Sequence, residues 1–210
     1  MTGTIDFYTN PMSRGRIAHW MLEEVGAPYR THYLGFGPEM NRAEYLAINP
    51  LGKVPAIRHG RHVVTECAAI CTYLAEAFPE AELTPTSDGR ADFYRWMFFA
   101  AGPLEAALVN RALGVEVPEE RRGMVGYAAL ERMFDALEGA VAGRDFIAGS
   151  RFSAADVYVG SQIGWGLQFG SIEPRPAFKD YWARIAGRPA RARAEAADNA
   201  AMPARAAAAG

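Results

Sequence analysis

Asn49–Phe78, NPLGKVPAIRHGRHVVTECAAICTYLAEAF, is the stretch on which the reading of this chain turns. Asn49-Pro50 and Leu51-Gly52 are turn chemistry, because proline presets φ and glycine tolerates left-handed backbone. Val54-Pro55-Ala56-Ile57 then reads as a short apolar strand. A proline there removes a ladder hydrogen bond, so it belongs at a strand's first residue or in a cis turn. His59-Gly60-Arg61-His62 is a hairpin connection and Val63-Val64 the returning strand. Thr65 stands where a helix N-cap is expected, ahead of the periodic run Ala69, Ile70, Tyr73, Leu74, Ala77 and Phe78.

This order brings two chemical features together. The Val54 backbone, beside a proline that cannot pair, offers its N–H and C=O to an extended peptide. The first turn of the helix, Glu66-Cys67-Ala68, presents free N–H groups and a positive dipole end that suit a carboxylate. A small peptide with a free carboxylate fits between them. Read without a ligand, the same residues make an ordinary hairpin and a capped helix.

Upstream, Ile5–Tyr8 reads as a strand ending at the turn Thr9-Asn10-Pro11, and a helix is expected from Arg14 to Val25, closed by Gly26. Tyr29–Tyr33 is a second strand, and Ala43–Ile48 a short helix. The order β-α-β-α-β-β-α predicts a small mixed sheet with helices on its faces, the thioredoxin-like pattern. Pro79–Ser87 is polar and proline-punctuated, as a linker would be. Beyond it the pattern is helical: Gly89–Leu113 with a break near Gly102-Pro103, then Pro118–Val141, Ser153–Phe169 and Ala177–Ile185. The alanine- and arginine-rich end, Ala190–Gly210, is expected to fray from a last helix into a tail. The fold class is therefore α/β plus all-α. A thioredoxin-like domain is expected over 1–79, a linker over 80–88 and a helical domain over 89–210.

At 210 residues, half of them hydrophobic, the chain can bury a substantial core in one large or two modest domains. A net charge of −2 gives no global electrostatic case for a nucleic-acid or membrane-surface partner. No basic-then-apolar leader and no long apolar run is present, so a cytoplasmic setting without a membrane span is expected. Cys67 and Cys71 lie four apart on one predicted helix, which is not metal spacing, and read as small packing residues. His19, His32, His59 and His62 show no zinc spacing either, so no metal is expected.

NPLGKVPA followed by TECAAICTYL closely resembles the glutathione-binding segment of the cytosolic, bacterial-type glutathione transferases. There the pattern is usually N-P-x-G-x-V-P-x-L, then E-S-x-A-I-x-x-Y-L. The resemblance implies a cis bond before Pro55 and backbone pairing of Val54 with the cysteinyl part of glutathione. It implies that Glu66 and Cys67 hold the γ-glutamyl end and that Lys53 lies near the glycyl end. Where the family commonly has serine this chain has Cys67, a poorer donor, although the backbone N–H survives the change. Phe152-Ser153-Ala154-Ala155-Asp156 resembles the family's helical-domain string F-S-x-A-D and reads as a capping box with a hydrophobic staple. Gly160, Gly164, Gly166 and Gly170 around Trp165 read as close packing of a buried helix.

Glutathione chemistry requires the thiolate. Lowering a free thiol's pKa of about 8.5 by about two units needs ~2.7 kcal/mol of preferential anion stabilisation. A hydroxyl near a helix N-terminus can supply it. Ser13 resembles the catalytic serine of several transferase classes. Tyr8, Thr9, Asn10 and Arg14 stay open, and capping the first helix is an alternative or concurrent role for Ser13. An apolar pocket for the electrophile is expected from Met12 and Phe36 with Tyr94, Met97, Phe98 and Ala101. The resemblance implies a homodimeric transferase of the kind used in detoxification, joining glutathione as cosubstrate to a small electrophile with no further cofactor. Two other readings stand beside it: a non-catalytic binder of glutathione or apolar ligands, and a glutathione-dependent isomerase or dehalogenase.

Overall fold

The computed structural model describes residues 3–202. Their packing divides the chain into two compact units, one containing residues up to Ala81 and from Arg188 onward, the other Glu82–Gly187.

The first unit opens with strand β1 (Ile5–Thr9), helix α1 (Gly15–Val25) and strand β2 (Tyr29–Tyr33). A short helix α2 (Ala43–Leu46) leads to the hairpin strands β3 (Ala56–His59) and β4 (His62–Thr65), followed by helix α3 (Cys67–Ala77). The sheet order is β2-β1-β3-β4. β1 pairs in parallel with β2 and antiparallel with β3, which pairs antiparallel with β4. Alternation along β1 buries Ile5, Phe7 and Thr9, and with Ile17, Met21, Leu22, Ile57, Ile70 and Leu74 these form the core. The expected mixed sheet is therefore present.

Two local expectations change. Strand β3 begins at Ala56 rather than Val54, because the Val54-Pro55 bond is cis and the ladder starts only after it. Thr65 is not the N-cap of α3. It closes β4 in register with Ala56, and Glu66 takes the cap position.

The second unit is helical. The first long helix divides where Gly102-Pro103 predicts a break. Helix α4 (Arg90–Phe99) passes through a π-helical turn at Ala100–Leu104, which contains Pro103, into α5 (Glu105–Ala112). The helix expected from Pro118 to Val141 forms only in part. Residues Glu119–Met124 make a 3₁₀ segment and α6 covers Leu130–Val141. Gly123 falls near the end of the 3₁₀ segment and Gly126 in the stretch between, and glycine disfavours helix at both. Helix α7 (Ala154–Phe169) is buried on nearly every side, and α8 (Pro176–Ala186) packs on it. A Cβ at Gly160 would sit 2.3 Å from Ile185 Cδ1, and one at Gly164 would sit 2.6 Å from the Trp182 ring. Gly160, Gly164 and Gly166, the last against Ile172, thus serve close packing. Gly170 instead meets nothing within 4 Å and closes α7 in the left-handed conformation at φ 70°.

The last helix, α9 (Pro189–Ala200), belongs to the first unit and packs on α1. The fraying expected from Ala190 gives way to a regular helix as far as Ala200, and the rest of that expectation, beyond Met202, lies outside the described residues. Its anchor is a buried pair. His19 Nδ1 lies 2.9 Å from Asp198 Oδ1, and His19 Nε2 lies 2.9 Å from the Tyr29 hydroxyl. Arg188 grips the Glu24 carboxylate with two bonds of 2.6 and 2.8 Å.

Candidate functional site

The sheet register assembles the site within the first unit. Ala56, first residue of β3, pairs with Tyr8 on one side and Thr65 on the other. One step further along the three strands lie Thr9, cis-Pro55 and Glu66, so the β1–α1 loop, the Val54-Pro55 turn and the start of α3 meet at one end of the sheet. The N-termini of α1 and α3 both open there.

The β1–α1 loop is held by its own polar groups. Asn10 Nδ2 donates to the Leu34 carbonyl at 2.7 Å, and its Oδ1 accepts the Met12 N–H at 2.8 Å. Both ends of that amide are therefore engaged in shaping the loop. The Ser13 hydroxyl donates to the Asn10 carbonyl at 2.7 Å and accepts the Gly15 N–H at 2.9 Å. Arg14, exposed, is the residue at the N-cap position of α1, so Ser13 satisfies a first-turn donor from one residue further out. Gly15 permits the close approach: a Cβ there would lie 1.8 Å from Thr9 Oγ1. Thr9 is fully buried, and its hydroxyl has no hydrogen-bond partner among the described residues.

Tyr8 points from the opposite face of β1 and stacks on His32 with centroids 4.7 Å apart. Burial pushes its phenol above the ordinary range. His32 in turn bonds Asp6 at 2.8 Å, and Arg58 reaches the same carboxylate at 2.9 Å. The hydrogen bond from His32, with the Arg58 guanidinium, holds the Asp6 carboxyl below its usual value, and burial opposes them. Sequence reasoning gave His32 no role; its alternation with the aromatics of β2 is the signal that it faces Tyr8.

At the turn, the Tyr45 hydroxyl and Asn49 Nδ2, the latter at 2.8 Å, both donate to the Lys53 carbonyl. The Lys53 side chain is exposed, Val54 half-buried and Pro55 buried. Among the described residues nothing pairs with the Val54 N–H or C=O. Asn49 reads from sequence only as a turn residue and Tyr45 is not singled out, yet both fix the carbonyl that aims this edge.

Glu66 is exposed and has φ 64° and ψ 117°, a left-handed value unusual for a residue with a side chain. Such strain clusters at ligand-binding positions. The Cys67 thiol donates to the Arg14 carbonyl at 3.5 Å, tying the first turn of α3 to the start of α1. Cys71 is fully buried, and hydrogen bonding with Cys67 together with burial raises its thiol well above the ordinary value. No side chain caps α3, so its first N–H groups are open to an anion. Of the residues expected around an electrophile, Met12 and Phe36 are exposed in the first unit. In the helical unit Tyr94 and Phe98 are exposed on α4, Ala101 is half-buried and Met97 lies in the core. No group of three or more side chains suited to a metal ion occurs among the described residues.

Fold and site together define a thioredoxin-like unit with a cis-proline peptide edge beside an uncapped helix start, in a chain that continues into helices. Comparison with known proteins gives the family. Residues 12–77 match the model of the glutathione S-transferase N-terminal domain and residues 118–189 that of the C-terminal domain. The chain is 30% identical over 156 residues to glutathione S-transferase GstA of Escherichia coli O157:H7, covering 71% of this chain and 75% of the relative. Among solved structures, a glutathione transferase from Methylococcus capsulatus matches with TM-score 0.76 and 27% identity, over 94% of this chain and all of that one. A theta-class glutathione S-transferase from Xanthomonas axonopodis pv. citri, solved with glutathione bound, matches with TM-score 0.71 and 30% identity, over 91% and 96% of the two chains. This chain belongs to the glutathione S-transferase family.

Proposed function

We propose that this chain is a cytoplasmic, homodimeric glutathione transferase that activates the glutathione thiol for attack on a small apolar electrophile, as in detoxification. Val54 pairs with the cysteinyl backbone beside cis-Pro55. The α3 N-terminus, with Glu66 and the Cys67 N–H, takes the γ-glutamyl end, and Lys53 takes the glycyl carboxylate. Ser13 activates the thiol. The unpaired Val54 backbone in register with the open start of α3 is the observation that carries this reading, and the bound glutathione of the Xanthomonas relative supports it.

In this mechanism Ser13 keeps the Gly15 N–H as a donor to its oxygen while its proton turns from the Asn10 carbonyl to the sulfur. The accepted bond polarises the hydroxyl, and the α1 dipole adds to the field at the sulfur. The engaged Ser13 proton also favours a second reading, a glutathione carrier that leaves the thiol un-ionised. Ultraviolet titration of bound glutathione separates the two. An apparent thiol pKa well below about 8.5 is expected. An unshifted value selects the carrier, and absence of bound glutathione removes both readings.

The strain at Glu66 predicts changes of opposite sign. Glu66→Gly is expected to raise stability by about 0.5–1 kcal/mol, since the strained conformation costs of order 1–3 kcal/mol and glycine gives part of that back in unfolded-state entropy. Glutathione affinity is expected to fall in the same variant as the carboxylate is lost. Denaturant titration and calorimetry read the two effects, and a variant that is no more stable removes the strain argument.

A further inference from the structure

The helical unit contains a cavity of about 470 Å³ that shares no residue with those assigned above to glutathione or the electrophile. It lies between the end of α5, the segment that follows, and the start of α6. Its apolar wall is Val115, Val117, Val125 and Leu130. Three guanidinium groups, Arg111, Arg122 and Arg132, line it together with Asn110 and Tyr127, and no carboxylate side chain does.

The cations differ in how far they are already neutralised. Arg122 is ion-paired with Glu119 at 3.1 Å, and Arg111 donates to the Ser171 carbonyl. Arg132 has no hydrogen-bond or ion-pair partner among the described residues. Asn110 Nδ2 donates to the Tyr127 oxygen at 2.7 Å, which leaves the phenol proton for another acceptor. An apolar wall beside unmatched guanidinium and a spare hydroxyl donor is complementary to one ligand chemistry. A volume of this order suits a small molecule.

We propose that this cavity binds a small apolar carboxylate, its chain against the valines and its head group on Arg132, with Arg111 and the Tyr127 hydroxyl adding further donors. Planar guanidinium suits such a head group because it can donate two parallel bonds to it. The proposal does not rest on the glutathione reading.

Decanoate is the probe, with decanol as its neutral counterpart, measured by calorimetry on the full chain. Decanoate is expected to bind the wild-type chain, and Arg132→Gln to weaken it about tenfold, the loss of one charge-assisted bond. Arg132 is exposed, so the variant should keep the wild-type melting temperature. Val125→Glu, which places a carboxylate in the cavity, is expected to weaken decanoate further and decanol less. Equal decanoate affinity in wild type and Arg132→Gln overturns the proposal, as does wild-type affinity for decanol matching that for decanoate.

Discussion

Replacing Asp156 by alanine is expected to lower the stability of the helical unit by about 3–5 kcal/mol, the range for removing one partner of a buried charged network. The Asp156 carboxylate is fully buried at the third position of α7 and accepts four hydrogen bonds. Oδ1 takes the Ile147 N–H at 2.9 Å and the Tyr181 hydroxyl at 2.7 Å, while Oδ2 takes the Ser153 N–H and hydroxyl, each at 2.9 Å. One side chain therefore joins the loop before α7, the helix start and α8. Burial pushes its carboxyl above the usual range, and those four donors pull the other way. Alanine leaves donors on Ile147, Ser153 and Tyr181 buried without an acceptor, each worth about 1–3 kcal/mol when orphaned. Ser153→Ala removes a single hydroxyl from the same network and should cost about 1 kcal/mol. Urea unfolding followed by the fluorescence of Trp96, Trp165 and Trp182 measures both. A loss below about 1 kcal/mol for Asp156→Ala would falsify the assignment of this carboxylate as the unit's main polar tie.

Half of that network was legible in the sequence and half was not, for a physical reason. Ser153 and Asp156 are three residues apart, so a helix-start rule sees them both. Tyr181 is 25 residues from Asp156, and only the packing of α8 on α7 brings it there. The same division recurs in the first unit. The turn at Asn49–Gly52 and the hairpin are local chemistry and were readable. Local chemistry left Pro55 open between a strand start and a cis turn, and the resemblance supplied the cis bond. Thr65 misled because a good N-cap residue is overridden when strand pairing with Ala56 extends through it. The anchoring of α9 rests on His19 and Asp198, 179 positions apart, which no period or motif connects. In the expected helix from Pro118, Gly123 and Gly126 were the signal available for an interruption. At the candidate site, Ser13, Val54 and Glu66 were picked out by motif. Tyr45 acts by holding the Lys53 carbonyl and leaves no spacing pattern to read. Asn10 reads from sequence as a turn residue and alternative activator rather than as the brace of its loop. For His32 the alternation along β2 was the only signal available.

Ser13→Ala carries the largest expected effect on chemistry. If the serine lowers the bound thiol by about two units from about 8.5, roughly three-quarters of bound glutathione is thiolate at pH 7, against a few per cent without it. The value of kcat/KM toward an activated chlorobenzene should then fall about 20- to 30-fold at pH 7. A depressed thiol pKa supplies thiolate above its own value, so the deficit should shrink as pH rises through about 8.5 and the unassisted thiol ionises. The variant's pH–rate profile should therefore move upward by about two units and converge with that of wild type at high pH. Glutathione affinity should change little, because the Val54 edge and the α3 terminus are untouched. Stability should fall by about 1 kcal/mol as the Gly15 N–H loses its acceptor. A profile left in place by Ser13→Ala moves activation to Tyr8, Thr9, Asn10 or Arg14. Among these, Tyr8→Phe is the next variant, since Thr9 is fully buried and both ends of the Asn10 amide are already bonded within the loop.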